Sequence, residues 1–469
     1  MSPSAISRRL SAALLSSILL LSPVVLPTVA KAGRPVLDPS YGVAGWSLTP
    51  PGTLRGPNGR VQLGVGPEGD AFVADSGGSI VHLGPEGALD QSFGDAGELS
   101  FDADPAAEGI AARSFSPTDI AVDGQGRLLV FGGESDSRRM FNFELVSGGV
   151  VPASSALVLR YGGAGQLDPT FGEGRGYVRG GLDLGAAVPA GKGTSQSRSI
   201  VDALAGTVDS RDRPVLVAGV GSVLSGCQGH AGVAFAPRAV IRLTESGGRD
   251  PGFGSNGKSL VAGTASLPTV ATDAAGGIVA EVGPSRRGVS RCRSETTLVR
   301  LGATGDRLRT FGEHGVLRLR RLRLALVEPS GASIVYRYQG RKIDLGRIGA
   351  SGRLSRGFGH HGLAALRLPP GSAMGVKPVS VDSSGRILLA GYTGGRHSSL
   401  VIGRVLPNGR LDAGFAEGGW LISPIPGSYV IGSLAASLDP AGRLLVAAAG
   451  AQPGESESSY LVARFLLGP

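Results

Sequence analysis

One nine-residue pattern, Leu-Asp-x-x-Phe-Gly-x-x-Gly, recurs seven times along the chain with small variations. Successive copies are 47 to 82 residues apart, measured between their aromatic residues. These aromatic residues are Tyr41, Phe93, Phe171, Phe253, Phe311, Phe358 and Phe415. Self-similarity at such a period is typical of repeat architectures, in which one supersecondary unit cannot bury its apolar face alone. The chain must therefore place seven equivalent units side by side.

Short apolar segments precede each copy of this signature after the first. In one repeat an alternating segment ends at Asp123, a glycine turn follows, and a more apolar segment runs from Leu128 to Phe131. A third apolar segment ends at Arg160 and leads into the signature. Asp and Gly between β-rich segments supply the turns of antiparallel hairpins. Each repeat is therefore predicted to be a four-stranded antiparallel sheet, and no helical period is visible after the first 32 residues.

The two ends of the chain are complementary parts of one repeat. The chain stops after a third strand, Tyr460 to Leu466, whereas Leu37 and Asp38 begin a signature that has no strands before it. Radial packing of the sheets covers their faces and leaves only short, protected edges. We therefore predict an all-β, seven-bladed β-propeller of four-stranded antiparallel blades, closed by pairing of the N-terminal strand with the last blade. The recurrent aromatic residue is predicted to pack between neighbouring blades.

These repeats resemble those of the bacterial delta-60 repeat proteins. The resemblance lies in the signature and in the Val-Asp-x-x-Gly-Arg-Leu-Leu-Val strand pair before it, as around Asp382, and covers essentially the whole chain after residue 32. The first repeat, Gly64 to Leu83, is also similar to an NHL-type propeller repeat. The resemblance implies a propeller on a secreted or surface-associated bacterial protein, with no general activity. The fifth repeat departs from the pattern, because it lacks the signature Asp and has Glu328 where others have Asp.

The first 32 residues have the pattern of an export signal. Two arginines begin it, a Leu-, Ala- and Ser-rich stretch follows, and Ala30 and Ala32 are the small residues before a cut at Gly33. A retained membrane anchor is the alternative, since the apolar stretch is nearly long enough to cross a bilayer. Two prolines in the apolar stretch and the small residues at its end favour cleavage over retention. We predict a signal peptide at 1–32, one propeller domain at 33–469, and a soluble, secreted or envelope-associated product without a stable transmembrane anchor.

The chain is basic, with a formal net charge of +9 that falls to +6 when the signal is removed. The densest basic segment, 317–324, alternates Leu and Arg with one slip, which is typical of a solvated outer strand with a bulge. The alternative is a contact surface for an anionic glycan or phosphate polymer. Nucleic acid is not a predicted partner, because no aromatic residues interleave with the arginines. The candidate contact residues are Arg318, Arg320, Arg321 and Arg323.

Cys227 and Cys292 are the two cysteines of the chain. Both follow the second strand of consecutive repeats, so they are expected in equivalent loops on one face of the ring. An even pair in an exported protein favours a disulfide, which would link two neighbouring blades. Two free thiols or a metal site are the alternatives, although two ligands alone hold zinc poorly.

Histidines and aspartates near the turns are candidate metal ligands. His314 and the pair His360 and His361 lie in equivalent signature loops of successive repeats, where either a transition-metal site or solvated turn residues would be compatible. The recurrent Asp before each glycine turn could ring a channel and bind calcium. Asx-type hydrogen bonds to the turn backbone explain its position better. These aspartates are Asp123, Asp209, Asp273, Asp382 and Asp439.

No matched catalytic set stands out, so no catalytic or cofactor-binding residue is assigned. The pattern favours an exported, non-catalytic propeller that binds an extracellular or cell-envelope ligand, glycan or protein, through its loop-bearing face. The predicted contact loops are 132–155 and 181–199. One alternative is a hydrolase or lyase with a metal site at the central channel. Another is a purely architectural module of the envelope.

Overall fold

The computed structural model describes residues 35–49, 60–75, 78–101, 114–135, 154–179, 200–225, 231–261, 269–282, 295–372, 375–395, 397–455 and 458–468. They form seven antiparallel sheets, numbered blades 1 to 7 in chain order. The predicted all-β, seven-bladed propeller is confirmed. Within the described ranges, no helix has the length and apolar character needed to cross a membrane. The predicted signal peptide lies outside them, so cleavage before residue 33 stays a prediction.

Blades 1 to 4 have their strands in chain order from the innermost to the outermost position. Blade 1 contains β3 (Gln62–Val65), β4 (Ala71–Ala74), β5 (Ser79–Leu83) and β6 (Glu98–Ser100). Blade 2 contains β7 (Ser114–Val122), β8 (Leu128–Ser135), β9 (Ser154–Tyr161) and β10 (Tyr177–Arg179). Blade 3 contains β11 (Ile200–Val208), β12 (Pro214–Ser225), β13 (Ala231–Arg242) and β14 (Lys258–Leu260). Blade 4 contains β15 (Val270–Thr272), β16 (Ile278–Glu281), β17 (Glu295–Leu301) and β18 (Val316–Arg320).

Blades 5 and 6 repeat this order, and blade 7 is assembled from both ends of the chain. Blade 5 contains β19 (Arg323–Val327), β20 (Ser333–Gln339), β21 (Lys342–Ile348) and β22 (Leu363–Arg367). Blade 6 contains β23 (Lys377–Val381), β24 (Ile387–Tyr392), β25 (Ser399–Val405) and β26 (Trp420–Pro424). Blade 7 contains β27 (Val430–Leu438), β28 (Leu444–Ala451) and β29 (Ser458–Leu466), with β1 (Val36–Leu37) and β2 (Trp46–Leu48) at its outer edge.

The N-terminal strands close the ring. Both β1 and β2 pair antiparallel with β29, with Val36 opposite Leu466 and Trp46 opposite Ala463. On the inside, each innermost strand contacts the innermost strand of the next blade, and β27 contacts β3. The predicted closure is therefore confirmed, and the innermost strands surround a central channel.

In five of the seven blades, the recurrent Asp caps the turn after the innermost strand. In blade 2, Oδ1 of Asp123 accepts the N–H groups of Gln125 (3.0 Å) and Arg127 (2.9 Å), and Gly126 has a φ of 77°. This is the Asx-type bonding expected of Asp in a tight turn, so that prediction is confirmed. Equivalent bonds to backbone N–H groups are accepted by Asp209, Asp273, Asp382 and Asp439.

Each boundary between neighbouring blades has its own apolar cluster, with one signature aromatic residue inside it. Phe171, for example, packs with Phe131 and Val158 of blade 2 and with Leu216 and Ile241 of blade 3. All seven signature aromatic residues are at most 1% exposed. Burying such a ring stabilises the fold by about 1.5–3 kcal/mol. The predicted packing of these rings between blades is confirmed.

The glycine after the aromatic residue joins its blade to the next. The N–H of Gly172 donates to the carbonyl of Ser246 (2.9 Å), in a turn of the following blade. Gly172 has a φ of 64°, and a Cβ there would lie 2.0 Å from the carbonyl oxygen of Tyr177. Glycine is required because both the conformation and the backbone contact exclude a side chain. Equivalent inter-blade bonds are donated by Gly42, Gly94, Gly254, Gly312 and Gly359.

Candidate functional site

A buried ion pair recurs beneath the signature loops. In blade 3, Nε of Arg242 donates to Oδ2 of Asp250 (2.7 Å), Nη1 of Arg213 donates to the same oxygen (2.9 Å), and the Arg242 guanidinium lies 4.5 Å from the ring centre of Phe253. Buried charges are tolerated where they are paired and hydrogen-bonded. The signature carboxylates therefore serve to hold the loops together. The equivalent pairs are Arg160–Asp168, Arg404–Asp412 and Arg464–Asp38.

Blades 1, 4 and 5 use different residues at this position. In blade 1 a histidine replaces the arginine: Nδ1 of His82 lies 2.9 Å from Oδ2 of Asp90, and Nε2 lies 3.0 Å from Oδ2 of Asp70. The signatures of blades 4 and 5 lack Asp, and there the arginine pairs with the acid of the first turn. Nη2 of Arg300 donates to Oδ2 of Asp273 (2.6 Å) in blade 4, and Nη2 of Arg347 donates to Oε2 of Glu328 (2.5 Å) in blade 5. The fifth signature copy lies in blade 4 and Glu328 lies in blade 5, so the two departures of the fifth repeat fall in different blades, and in each blade the turn acid compensates for the missing signature Asp.

These ion pairs predict acid sensitivity of the fold. Burial acts to raise the pKa of Asp38, Asp168 and Asp250, but hydrogen bonds and the neighbouring arginine charge outweigh it, so each pKa lies below its ordinary value. A depressed carboxyl pKa contributes stability above the unfolded-state pKa of about 3.9, which is lost as pH falls through the folded-state pKa. We expect no fall of the melting temperature between neutral pH and about pH 5, where protonation of Asp119 and Glu281 adds stability, and a steep fall below about pH 4. Differential scanning fluorimetry measures the melting temperature at each pH. Asp250→Asn should make its fall below about pH 4 less steep. A wild-type melting temperature that is unchanged at pH 3 would contradict the prediction.

The arginine-rich segment 317–324 is not one strand. Arg318 and Arg320 are exposed on β18 at the outer edge of blade 4, whereas Arg323 begins β19, the innermost strand of blade 5. Between these strands, Arg321 adopts a left-handed φ of 60° and Leu322 is buried. The prediction of a single outer strand with a bulge is therefore wrong, because a two-residue turn crosses from one blade to the next while the alternation of Leu and Arg continues. The four arginines are divided between the outside of the propeller and its channel.

The histidines of the signature loops occupy turns. His314 and His361 have φ values of 55° and 54°, and the rings of His360 and His361 meet edge to face with centroids 4.2 Å apart. Among the described residues, no group of three or more His, Cys, Asp or Glu side chains is arranged to hold a metal ion. A metal role for these histidines or for the turn aspartates has no geometric support in this part of the chain.

Other predicted features fall on parts of the chain that the structure does not describe. Cys227 and Cys292 lie outside the described residues, so the disulfide stays a prediction. The contact loop 181–199 lies outside them as well, and loop 132–155 is described only where it belongs to β8 and β9.

The register of the hairpins brings one residue from each innermost strand to the same level of the central channel. Asp119 is opposite Phe131, Arg323 is opposite Tyr336, and Lys377 is opposite Ala390, each partner lying on the second strand of its blade. Each of these partners lies eight residues after the turn acid of its blade, so the three charged residues occupy equivalent positions. Two cations and a carboxylate therefore occupy one layer. The corresponding residues of the other blades are Gln62, Ala205, Thr269 and Ala435.

We call Arg60, Asp119, Arg323 and Lys377 the channel mouth. The half-buried carboxylate of Asp119 accepts the N–H of Gly206 from the next blade at 3.3 Å. Burial raises the pKa of Asp119 to about 6, although the Gly206 N–H and the charges of Arg60 and Lys377 act to lower it. Asp119 can therefore change its charge near neutral pH.

Lys377 is also half-buried, and it begins the innermost strand of blade 6. Burial lowers the pKa of Lys377, the charges of Arg60 and Arg323 lower it further, and Asp119 opposes them. Its ammonium group forms no hydrogen bond with the residues that the structure describes. Groups from blades 1, 2, 5 and 6 thus act on one another across the channel.

Glu281 supports the position of Arg323. Its buried carboxylate accepts the N–H of Leu324 through Oε2 (3.1 Å), and its Oε1 lies 3.7 Å from Nε of Arg323. Burial raises the pKa of Glu281, whereas the Arg323 charge acts to lower it. The start of β19 is therefore linked to the end of β16 in the preceding blade.

Three tyrosines stand beside the channel mouth on blades 5 and 6. The hydroxyl of Tyr338 donates to the carbonyl of Val376 (2.7 Å), and that of Tyr392 donates to the carbonyl of Gly432 (3.0 Å). Tyr336 meets Tyr338 edge to face at 5.7 Å. Val376 directly precedes β23 of blade 6 and Gly432 lies in β27 of blade 7, so the rings of Tyr338 and Tyr392 are each held against the next blade. We call Tyr336, Tyr338 and Tyr392 the aromatic rim.

Sequence reasoning identified only Arg323 of the channel mouth, and as part of a different feature. Arg60, Asp119 and Lys377 are isolated charges in their own repeats. The signal that could have found them is their position relative to the recurrent turn, since Asp119 and Lys377 lie four and five residues before Asp123 and Asp382. Charges four or five residues before this turn lie on the innermost strands, which line the channel of a closed ring.

Comparison with known proteins identifies no family. No family model matches the chain, and no curated protein matches it. The chain is similar to the solved structure of polysaccharide lyase Uly1, with 10% identity, a TM-score of 0.42, and coverage of 91% of both chains. It is similar to BBS1N in complex with ARL6DN (10% identity, TM-score 0.40, 89% of this chain and 96% of that one) and to YCF48 bound to D1 peptide (10%, 0.37, 92% and 98%). At these TM-scores the likeness says nothing about function, and the fold is established by the strand topology.

Proposed function

We propose that this chain is an exported, non-catalytic β-propeller that binds a cell-envelope ligand, glycan or protein, at the face that contains the channel mouth. The observation that carries the proposal is the convergence of charged groups from blades 1, 2, 5 and 6 on one end of the channel. Concave sites with a few convergent polar groups are where ligands bind in most folds. The delta-60 resemblance and the signal pattern at 1–32 support export.

The tyrosines favour binding over an architectural role. The Tyr338 side chain is 42% exposed at the end of its strand, where a hydroxyl bond holds it against the next blade. Rigid aromatic residues give large contact area at a low entropic cost when a ligand binds. An architectural module has no need of a fixed, exposed ring beside a cluster of cations.

Export and binding can be tested together with the full chain expressed in a bacterial host. We expect the exported protein to begin at Gly33 by N-terminal sequencing and to sediment with isolated cell-envelope material. Replacing both Arg323 and Lys377 with alanine should reduce the bound fraction by about tenfold, the effect of losing about 1.4 kcal/mol of binding free energy. The exposed Arg353→Ala variant, changed in a turn at the opposite end of blade 5, is the matched control. The proposal would be refuted if the protein kept residues 1–32 and stayed in the cytoplasm, or if the double alanine variant bound envelope material as well as Arg353→Ala does.

A further inference from the structure

The channel mouth concentrates positive charge. Arg60, Arg323 and Lys377 come from three blades, and the acids that act on them are Asp119 and Glu281. Like charges held close together repel one another, and a bound anion relieves that repulsion. Because the ammonium of Lys377 has no hydrogen-bond partner among the described residues, its N–H groups can be offered to a ligand oxygen. The site therefore suits an anionic group.

The aromatic rim adds an apolar surface beside those cations. The hydroxyls of Tyr338 and Tyr392 are already bonded to backbone carbonyls, so the accessible part of each side chain is its ring. A tyrosine whose hydroxyl is already hydrogen-bonded to the protein offers a ligand mainly the apolar face of its ring. The C–H face of a pyranose ring is the carbohydrate surface that complements it. Two positions of the channel layer are occupied by the small side chains of Ala205 and Ala435.

We propose that the channel mouth binds an acidic carbohydrate, a uronate-containing oligosaccharide, with a carboxylate on Lys377 and Arg323 and a sugar ring against Tyr338 or Tyr392. This inference rests on the proposed function and narrows its ligand. A neutral glycan would use the rings but would bring no anionic oxygen to the ammonium of Lys377. An acidic peptide would pair the cations but would not require fixed rings beside them.

Isothermal titration calorimetry with three defined probes tests the ligand class. The probes are an oligogalacturonate, its methyl ester, which keeps the sugar and removes the charge, and an oligoglutamate, which keeps the charge and removes the sugar. We expect measurable binding of the oligogalacturonate and at least tenfold weaker binding of the other two. Equal binding of the ester or of the oligoglutamate would overturn the inference in favour of a neutral glycan or an acidic peptide.

Variants assign the two halves of the site. Lys377→Ala is expected to weaken oligogalacturonate binding about tenfold, and Lys377→Met, which keeps the packing of the side chain, should do the same. Tyr338→Ala should weaken oligogalacturonate binding several-fold and leave the weak oligoglutamate binding unchanged. Arg353→Ala is the matched control and should bind as the wild type does. Wild-type affinity in both Lys377 variants, with melting temperatures unchanged, would overturn the inference.

The pH dependence gives an independent readout. The groups facing Asp119 are the Gly206 N–H, Arg60 and Lys377, with Arg323 acting on Lys377. With a pKa of about 6, Asp119 loses its negative charge as pH falls, whereas uronate carboxylates stay ionised. Affinity should therefore rise about two- to threefold between about pH 7.5 and pH 5.5, and Asp119→Asn should remove most of that change. An unaltered pH dependence in Asp119→Asn would contradict this assignment.

The outcomes separate this inference from the proposed function. Sedimentation with envelope material that depends on Arg323 and Lys377, without binding of oligogalacturonate, would overturn the acidic carbohydrate and keep the binding function. If the wild-type protein neither sediments with envelope material nor binds oligogalacturonate, both this inference and the proposed function are overturned.

Discussion

Replacing Arg464 with alanine is expected to lower the free energy of unfolding by about 3–5 kcal/mol, because it leaves a buried carboxylate without its partner. Nε of Arg464 donates to Oδ2 of Asp38 (2.8 Å), Nη1 donates to the carbonyl of Pro85, and the guanidinium lies 4.6 Å from the ring centre of Tyr41. Arg464 and Asp38 are 2% and 4% exposed. One side chain thus connects the last strand, the N-terminal segment and blade 1. Chemical denaturation measures the loss of stability.

The matched control for this prediction is Arg242→Ala. Arg242 makes the same bond to Asp250 within blade 3, where the chain is continuous. Both variants should lose similar stability, but only Arg464→Ala should release the closure. Hydrogen exchange should therefore accelerate in β1 and β2 of Arg464→Ala and stay slow there in Arg242→Ala. Suppose instead that β1 and β2 of Arg464→Ala stay protected from hydrogen exchange and that the free energy of unfolding falls by less than about 1 kcal/mol. The backbone pairing alone would then close the ring.

The blade number and the closure could be predicted because each repeat contains the cause of its own structure. The Asp before the turn, the aromatic residue and the following glycine act within one blade or on the adjacent one, as at Asp123, Phe171 and Gly172. The unpaired signature at Leu37 completes the missing outer strand of the last blade. A single copy of the pattern would have been ambiguous, but seven copies specify a ring.

The channel mouth could not be predicted in the same way, because its residues are brought together only by the register of separate blades. Asp119, Arg323 and Lys377 reach one layer although β7, β19 and β23 each contain a register shift within a few residues of them. A shift of one residue turns a side chain to the other face of a strand. The sequence does not display such shifts. It also does not mark the turn at Arg321, whose left-handed conformation ends one blade and begins the next.

Phe253→Ala is the second substitution for which we expect a large effect, a loss of about 3–5 kcal/mol of stability from the cavity that it leaves. Phe253 is fully buried and packs with Val217 of blade 3 and with Ile278 and Val299 of blade 4. The ring also covers the guanidinium of Arg242, with Cζ 4.5 Å from the ring centre. Its removal therefore takes apolar contact from both blades and exposes a buried charge.

Phe253→Leu separates the role of volume from that of the aromatic ring. Leucine keeps much of the apolar volume but loses the contact with the guanidinium face, so we expect it to cost about 1–2 kcal/mol. Thermal and chemical denaturation of both variants measure these losses. If Phe253→Ala loses less than about 1 kcal/mol, the blades are held together mainly by their innermost strands and by inter-blade bonds such as that from Gly254 to Thr304 (2.7 Å). A loss in the expected range means that the signature ring is the main apolar connection between two adjacent sheets, and explains why an aromatic residue recurs in every repeat.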